Sequence, residues 1–130
     1  MKFKIDTTDL YTRILPADAP LSDSMAAQLV TICQKQQLTG SGNCIIDLSS
    51  LPDSPAEDTE AVFKTLLQLH EAQYNAGHSL IFTGAGTQLL AQFKQAELHH
   101  ILNLTPTLPE AIDMVNMEIM ERDLFNEDEP

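Results

Sequence analysis

Basic residues are scarce in this chain: 7 lysines and arginines stand against 19 aspartates and glutamates, giving a formal net charge of −12. A phosphate backbone would be repelled by such a surface, which argues against nucleic-acid binding. Anionic lipid is disfavoured for the same reason. Apolar runs are short as well. None approaches the ~20 residues of a membrane span, and Met1-Lys2-Phe3-Lys4-Ile5-Asp6 lacks the apolar stretch of a signal peptide. A cytoplasmic protein is expected. There are only 2 cysteines. Cys33 and Cys44 fall in a helical and a strand pattern, without a metal-ligand spacing, and read as reduced core thiols. Neither HExxH nor CxxC occurs, and no Rossmann glycine fingerprint follows a strand. No metal, no cofactor and no catalytic residue are expected.

The chain has 130 residues, enough for one domain with its own core, and a hydrophobic fraction of 43% argues for packing rather than disorder. The acidic excess fits two readings equally: solubility, or attraction to a basic protein partner. Part of it is local, at Glu127-Asp128-Glu129, which reads as a solvated tail.

Strand and helix periods alternate along the sequence. Lys2 to Ile5 and Leu10 to Leu15 alternate polar with apolar, with Thr7-Thr8-Asp9 between them, and predict an antiparallel hairpin. Pro16 and Pro20 bracket a loop. Ser22 is placed as an N-cap with Leu21 as its staple. Met25, Leu29, Ile32 and Cys33 then recur at helical spacing until Gly40 and Gly42. Cys44 to Leu48 is a short continuous apolar run, as in a strand covered on both faces. Ser54-Pro55-Ala56-Glu57 reads as a capping box with proline at the first helical position, opening a helix that runs to about Gly77. Val62, Leu66 and Leu69 form its inner row. Ser79 to Thr83 predicts another strand. Gly84-Ala85-Gly86 turns into a third helix with Leu89, Leu90, Phe93 and Leu98 inward. Ile101 to Leu104 predicts the last strand, and Thr107-Leu108-Pro109-Glu110 a second capping box. The final helix carries Ala111, Ile112, Val115 and Ile119 on its core face. The order β-β-α-β-α-β-α-β-α implies a mixed, mostly parallel sheet of about five strands with about four helices.

Candidate chemistry is thin. Asp47, Asp53, Glu57, Asp58 and Glu60 gather near one strand end, where carboxylates could act as acid and base or bind Mg²⁺. Capping and the helix dipole explain Glu57 and Asp58 more simply. His70 lies on the long helix. His78, His99 and His100 fall at helix C-termini, where the dipole favours a cation. Gly84 and Gly86 offer a weak phosphate cradle without a lysine or arginine nearby, or simply a tight turn. Met114, Met117 and Met120 either widen the core contact of the last helix or adapt to a partner.

Ile45-Ile46-Asp47-Leu48-Ser49-Ser50-Leu51 is similar to the "VVLDLSGV" strand of the STAS domain family, the anti-sigma factor antagonists. His78-Ser79-Leu80-Ile81-Phe82 resembles that family's next strand. The helix Leu89-Leu90…Phe93-Lys94…Leu98 with Ile101-Leu102 resembles its "LLELTGLDDLF" region, and the neighbourhood of Asp113 its "SLEEAL" helix. The resemblance implies an α/β, STAS-like (SpoIIAA-like) fold over residues 1–125, with 126–130 as the acidic tail. It implies a bacterial regulatory domain without enzymatic activity, binding an anti-sigma factor or kinase-like ATPase and thereby influencing transcription. Partner contacts would be Asp53, Ser54, Glu57, Asp58, Gly84 and Thr87. A second family use is a STAS-type subunit of an ABC transporter. A rival from another class is a small-ligand module or enzyme at the acidic strand end. A homodimer through an open edge strand is allowed.

One departure stands out. Phosphorylated members of the family carry Asp-Ser-Ser/Thr-Gly at the start of the second helix. Here either Pro55 or the pair Ala56 and Glu57 replaces the acceptor. Two mechanisms remain: a phosphorylation-independent binder in which Glu57 and Asp58 mimic the modified state or meet a basic groove, or Ser54 as a displaced phosphoacceptor.

Overall fold

Alternation over the first 17 residues produces a hairpin. In the computed structural model, which describes residues 1–127, β1 (Lys2–Thr7) and β2 (Thr12–Ala17) pair antiparallel, with Lys2 opposite Ala17 and Thr7 opposite Thr12. Thr8 holds the turn. Its Oγ1 accepts from the backbone N–H groups of Leu10 (3.2 Å) and Tyr11 (3.1 Å) and donates to the Tyr11 carbonyl. The strand continues through Pro16, which was expected to open a loop. The ladder from β2 to its other neighbour ends at Ile14, so the missing proline N–H interrupts no pairing on that side.

The remaining elements are α1 (Asp23–Thr39), β3 (Cys44–Asp47), α2 (Thr59–Asn75), β4 (Leu80–Thr83), α3 (Thr87–Gln95), β5 (Asn103–Thr105) and α4 (Leu108–Glu127). Two 3-10 turns, Leu48–Ser50 and Leu98–His100, follow β3 and α3. The sheet order is β1-β2-β3-β4-β5, with β2 to β5 parallel. This is the expected order. Of the expected tail, residues 128–130 lie outside the described residues, while Asn126 and Glu127 still belong to α4.

Both faces of the sheet are covered, which is why β3 and β4 read as unbroken apolar runs. Cys44, Ile46, Leu80 and Phe82 point toward α1, α2 and α3, joining Met25, Leu29, Val62, Leu66 and Phe93 in the main core. Ile45 and Ile81 point the other way, onto Ala111 and Val115 of α4. Cys33 and Cys44 are both buried and free. Burying a leucine, isoleucine or phenylalanine of these two cores contributes about 1.5–3 kcal/mol each.

Helix ends explain most departures from expectation. Ser22 caps α1 as its sequence predicts, accepting from the Met25 N–H at 3.2 Å, with Leu21 buried beside it. At the second expected box Thr107 Oγ1 donates to Glu110 Oε1 at 2.9 Å, a pairing of the two side chains in place of the two backbone bonds of a capping box. The first box does not form, for reasons given below. The third helix ends at Gln95; Glu97 turns left-handed (φ 60°), so Leu98, His99 and His100 lie in the 3-10 turn and β5 begins at Asn103. Of the three methionines of α4, Met114 packs on the core, whereas Met117 and Met120 are exposed, as is Leu124. Widening the core therefore accounts for Met114 alone: among the described residues α4 is the sole helix on its face, and none of them covers its outer side.

A polar network pins α4 to the lower end of the sheet. The Asn43 amide donates to the Leu10 carbonyl (2.9 Å) and accepts from Ser79 N–H (2.8 Å) and Arg122 (3.1 Å). Buried Gln73 donates to the Gly42 carbonyl at 3.0 Å and accepts from Gln37. Among the described residues, no helix is long and apolar enough to cross a membrane.

Candidate protein-interaction surface

The upper end of β3 is where the acidic residues were expected to converge. Asp47 extends β3 on the face of Ile45, and Arg13 of β2 sits in register with Ile45, so the two charges meet. Arg13 donates to Asp47 Oδ2 from Nη2 (2.7 Å) and Nε (3.0 Å), while Oδ1 accepts from the Ser49 N–H (3.0 Å). Asp47 is only 3% exposed. Burial pushes its pKa up, but the hydrogen bonds from Ser49 and the Arg13 guanidinium outweigh that and hold it below the ordinary carboxylate value. The carboxylate is thus fully engaged and is not free to act as a base or metal ligand. Among the described residues no group of three or more histidine, cysteine and acidic side chains could hold a metal ion.

The Gly84-Ala85-Gly86 turn is shaped by this strand end. Gly84 has φ +72°, and a Cβ there would lie 2.9 Å from Ser49 Cβ. A Cβ on Gly86 would lie 2.9 Å from Asp53 Oδ1. Close backbone approach accounts for both glycines without any phosphate.

The loop from Leu51 to Asp58 lies over the start of α3. The Asp53 carbonyl accepts from Gln88 Nε2 (2.9 Å), and its carboxylate faces the Gln88 N–H at 3.4 Å, in the first turn of α3. The Ala56 N–H donates to Gln92 Oε1 at 2.7 Å. The Glu57 N–H donates to the Leu21 carbonyl at 2.8 Å, just before α1. These bonds overturn the expected capping box. The N–H of Glu57 that a helix start would have offered to Ser54 is engaged across the molecule instead, and Ala56 turns into the core. α2 begins only at Thr59, behind Asp58 in a left-handed conformation (φ 51°, ψ 49°) with no side-chain cap. The Ser54 hydroxyl is buried and finds no partner.

Of the expected contact residues, Asp53, Glu57, Asp58 and Thr87 are exposed, Gly84 and Ser54 half-buried. Asp53 and Thr87 come together at the start of α3; Glu57 and Asp58 stand at the far end of the same loop. Sequence reasoning missed Arg13, Gln88 and Gln92. A signal existed for each: Arg13 and Asp47 are lone charges in apolar strands, and Gln88 and Gln92 are four apart on one helix face. Of the histidines, His70 and His78 each have a buried, unpartnered Nδ1. Burial lowers both pKa values; Glu118 opposes this at His70, and Arg122 adds to it at His78.

Neither the family models nor the curated proteins give a sequence match to this chain. Solved structures do match in shape. A Thermotoga maritima protein, TM1081, provisionally assigned as an anti-sigma factor antagonist, superposes in its crystal structure with a TM-score of 0.73 at 13% identity, covering 88% of this chain and 94% of that one. The NMR structure of TM1081 gives 0.72 at 14% identity, covering 89% and 90%. A serine-to-glutamate variant of RsbS from Moorella thermoacetica gives 0.68 at 15%, covering 89% and 96%. The fold is STAS-like. In this STAS-like domain β1 and β5 are the sheet edges, and the loop before α2 sits at the upper rim, beside the starts of α1 and α3.

Proposed function

We propose that this STAS-like domain is a regulatory protein-binding module that acts in the manner of an anti-sigma factor antagonist, independently of serine phosphorylation. The observation that carries this reading is the loop Leu51–Asp58: it is tied to α3 and to Leu21, it presents Asp53, Glu57 and Asp58 outward, and it turns its own hydroxyl, Ser54, inward. A surface anchored in this way loses little entropy on docking. Its partner is a protein with a basic groove, of the anti-sigma or kinase-like ATPase kind. Glu57 and Asp58 supply permanently the negative charge that a phosphate would add. A shape neighbour in which serine is replaced by glutamate keeps the same fold, which supports the idea that fixed acid is tolerated in this architecture. The reading assigns no catalytic residue.

Affinity capture with the wild-type chain and with Glu57→Lys tests it. The wild type is expected to retain a kinase-like ATPase or sigma-regulating protein, and Glu57→Lys to lose it while keeping its circular dichroism spectrum. Unchanged capture by the variant, or a stoichiometric phosphate on Ser54 after incubation with the captured kinase, would overturn the reading. Capture of an ABC ATPase would assign the domain to transport instead.

A further inference from the structure

A cavity of about 360 Å³ opens at the other edge of the sheet, between α3, the 3-10 turn that follows it, and β5. Its floor is apolar, formed by Phe82, Leu90 and Leu104. Its polar lining is lopsided. Thr105 contributes a carbonyl already accepting from the Gly84 N–H and the Thr83 hydroxyl, and a hydroxyl bonded to Thr83 and Thr107. Pro106 has no N–H to offer. The groups left to meet a ligand are Lys94 and His99, which are both exposed.

Lys94 is one of four lysines, with Lys4, Lys35 and Lys64, outside any ion pair among the described residues, and of the four it is the one that lines this cavity. Lys2 pairs with Asp18, Arg13 with Asp47 and Asp6, and Arg122 bonds to Ser79 and Asn43. Lys94 makes no ion pair among the described residues, although Glu97 lies three residues on. His99 stands beside it, its ring 3.9 Å from that of His100. With a net charge of −12, the molecule as a whole repels anions, so a free lysine bordering an apolar hollow creates a local exception.

We propose that this cavity binds a small amphipathic carboxylate, its aliphatic tail on Phe82, Leu90 and Leu104 and its head group on Lys94 and His99. The volume lies near the lower end of the ~300–1,000 Å³ typical of ligand pockets, which restricts the tail to a short chain. The site is separate from the acidic loop, which faces the opposite sign of charge.

Octanoate and octylamine serve as probes of equal chain length and opposite charge, titrated into the full chain and followed by backbone amide NMR. Octanoate is expected to shift the amides of Leu90, Lys94, His99 and Leu104, and octylamine to leave them in place. Lys94→Ala, at an exposed position that does not threaten folding, should weaken octanoate about tenfold, as loss of one charge-assisted contact does. Leu90→Trp should fill the cavity and abolish the shifts. Shifts that map elsewhere, equal binding of the two probes, undiminished affinity in Lys94→Ala, or no response at millimolar octanoate would each overturn the proposal.

Discussion

Ser22 and Ser54 both stand ahead of a helix, and their hydroxyls have opposite fates. Ser22 Oγ accepts the Met25 N–H; Ser54 Oγ is buried without a partner. Ser22→Ala is therefore expected to cost about 1 kcal/mol in urea denaturation. Ser54→Ala should be neutral or stabilising, because a desolvated hydroxyl that makes no bond opposes folding. A loss of 1 kcal/mol or more at Ser54 would mean that its hydroxyl is engaged after all. Asp47 gives a second test. Its pKa is lowered in the fold, so its stabilisation is present above the unfolded value of about 4 and disappears as pH falls through the folded value. The urea midpoint should decline below about pH 4, and Asp47→Asn should flatten that part of the decline. Asp47→Ala leaves Arg13 with only the longer, more exposed pair to Asp6 at 3.7 Å; with Arg13 partly exposed and screened, the expected cost is roughly 1–3 kcal/mol.

The decisive element is the loop Leu51–Asp58, which has no regular structure and takes its shape from bonds to other parts of the chain. Gln92 satisfies the N–H of buried Ala56, and Gln88 holds the Asp53 carbonyl. Gln92→Ala should leave the Ala56 N–H unpaired and cost about 1–3 kcal/mol. The loss should be local: amide exchange at residues 53–57 should accelerate before the strands open. Exchange that rises uniformly across the sheet would show that the loop is part of the global unfolding unit. Gly84 sets the loop's other border, since its positive φ and its contact with Ser49 leave no room for a side chain.

At the scale of the molecule, charge and coverage govern behaviour. The net charge of −12 should speed association with a basic partner and slow encounters between copies of the chain. The association rate with the captured partner should fall by about an order of magnitude between low salt and ~0.5 M. A salt-independent rate would shift the interface to an apolar surface. One such surface exists: Met117, Met120 and Leu124 form an exposed stripe on α4, among the described residues the one helix on its side of the sheet.

Periodicity and capping patterns in the sequence determined the element order, the parallel sheet, the buried rows of α1 and α2, and the cap at Ser22, because each depends on neighbours within a few residues. The family resemblance named Asp53, Ser54, Glu57, Asp58, Gly84 and Thr87 as partner contacts; of these, Asp53, Glu57, Asp58 and Thr87 are exposed. Tertiary structure alone decided where α2 begins, because the N–H groups of Ala56 and Glu57 find better partners in Gln92 and Leu21, both distant in sequence, than in Ser54. The same holds for the neutralisation of Asp47 by Arg13 and for the cavity beside β5. Each is made by side chains that meet only after the crossovers have closed, and no local pattern encodes such a meeting.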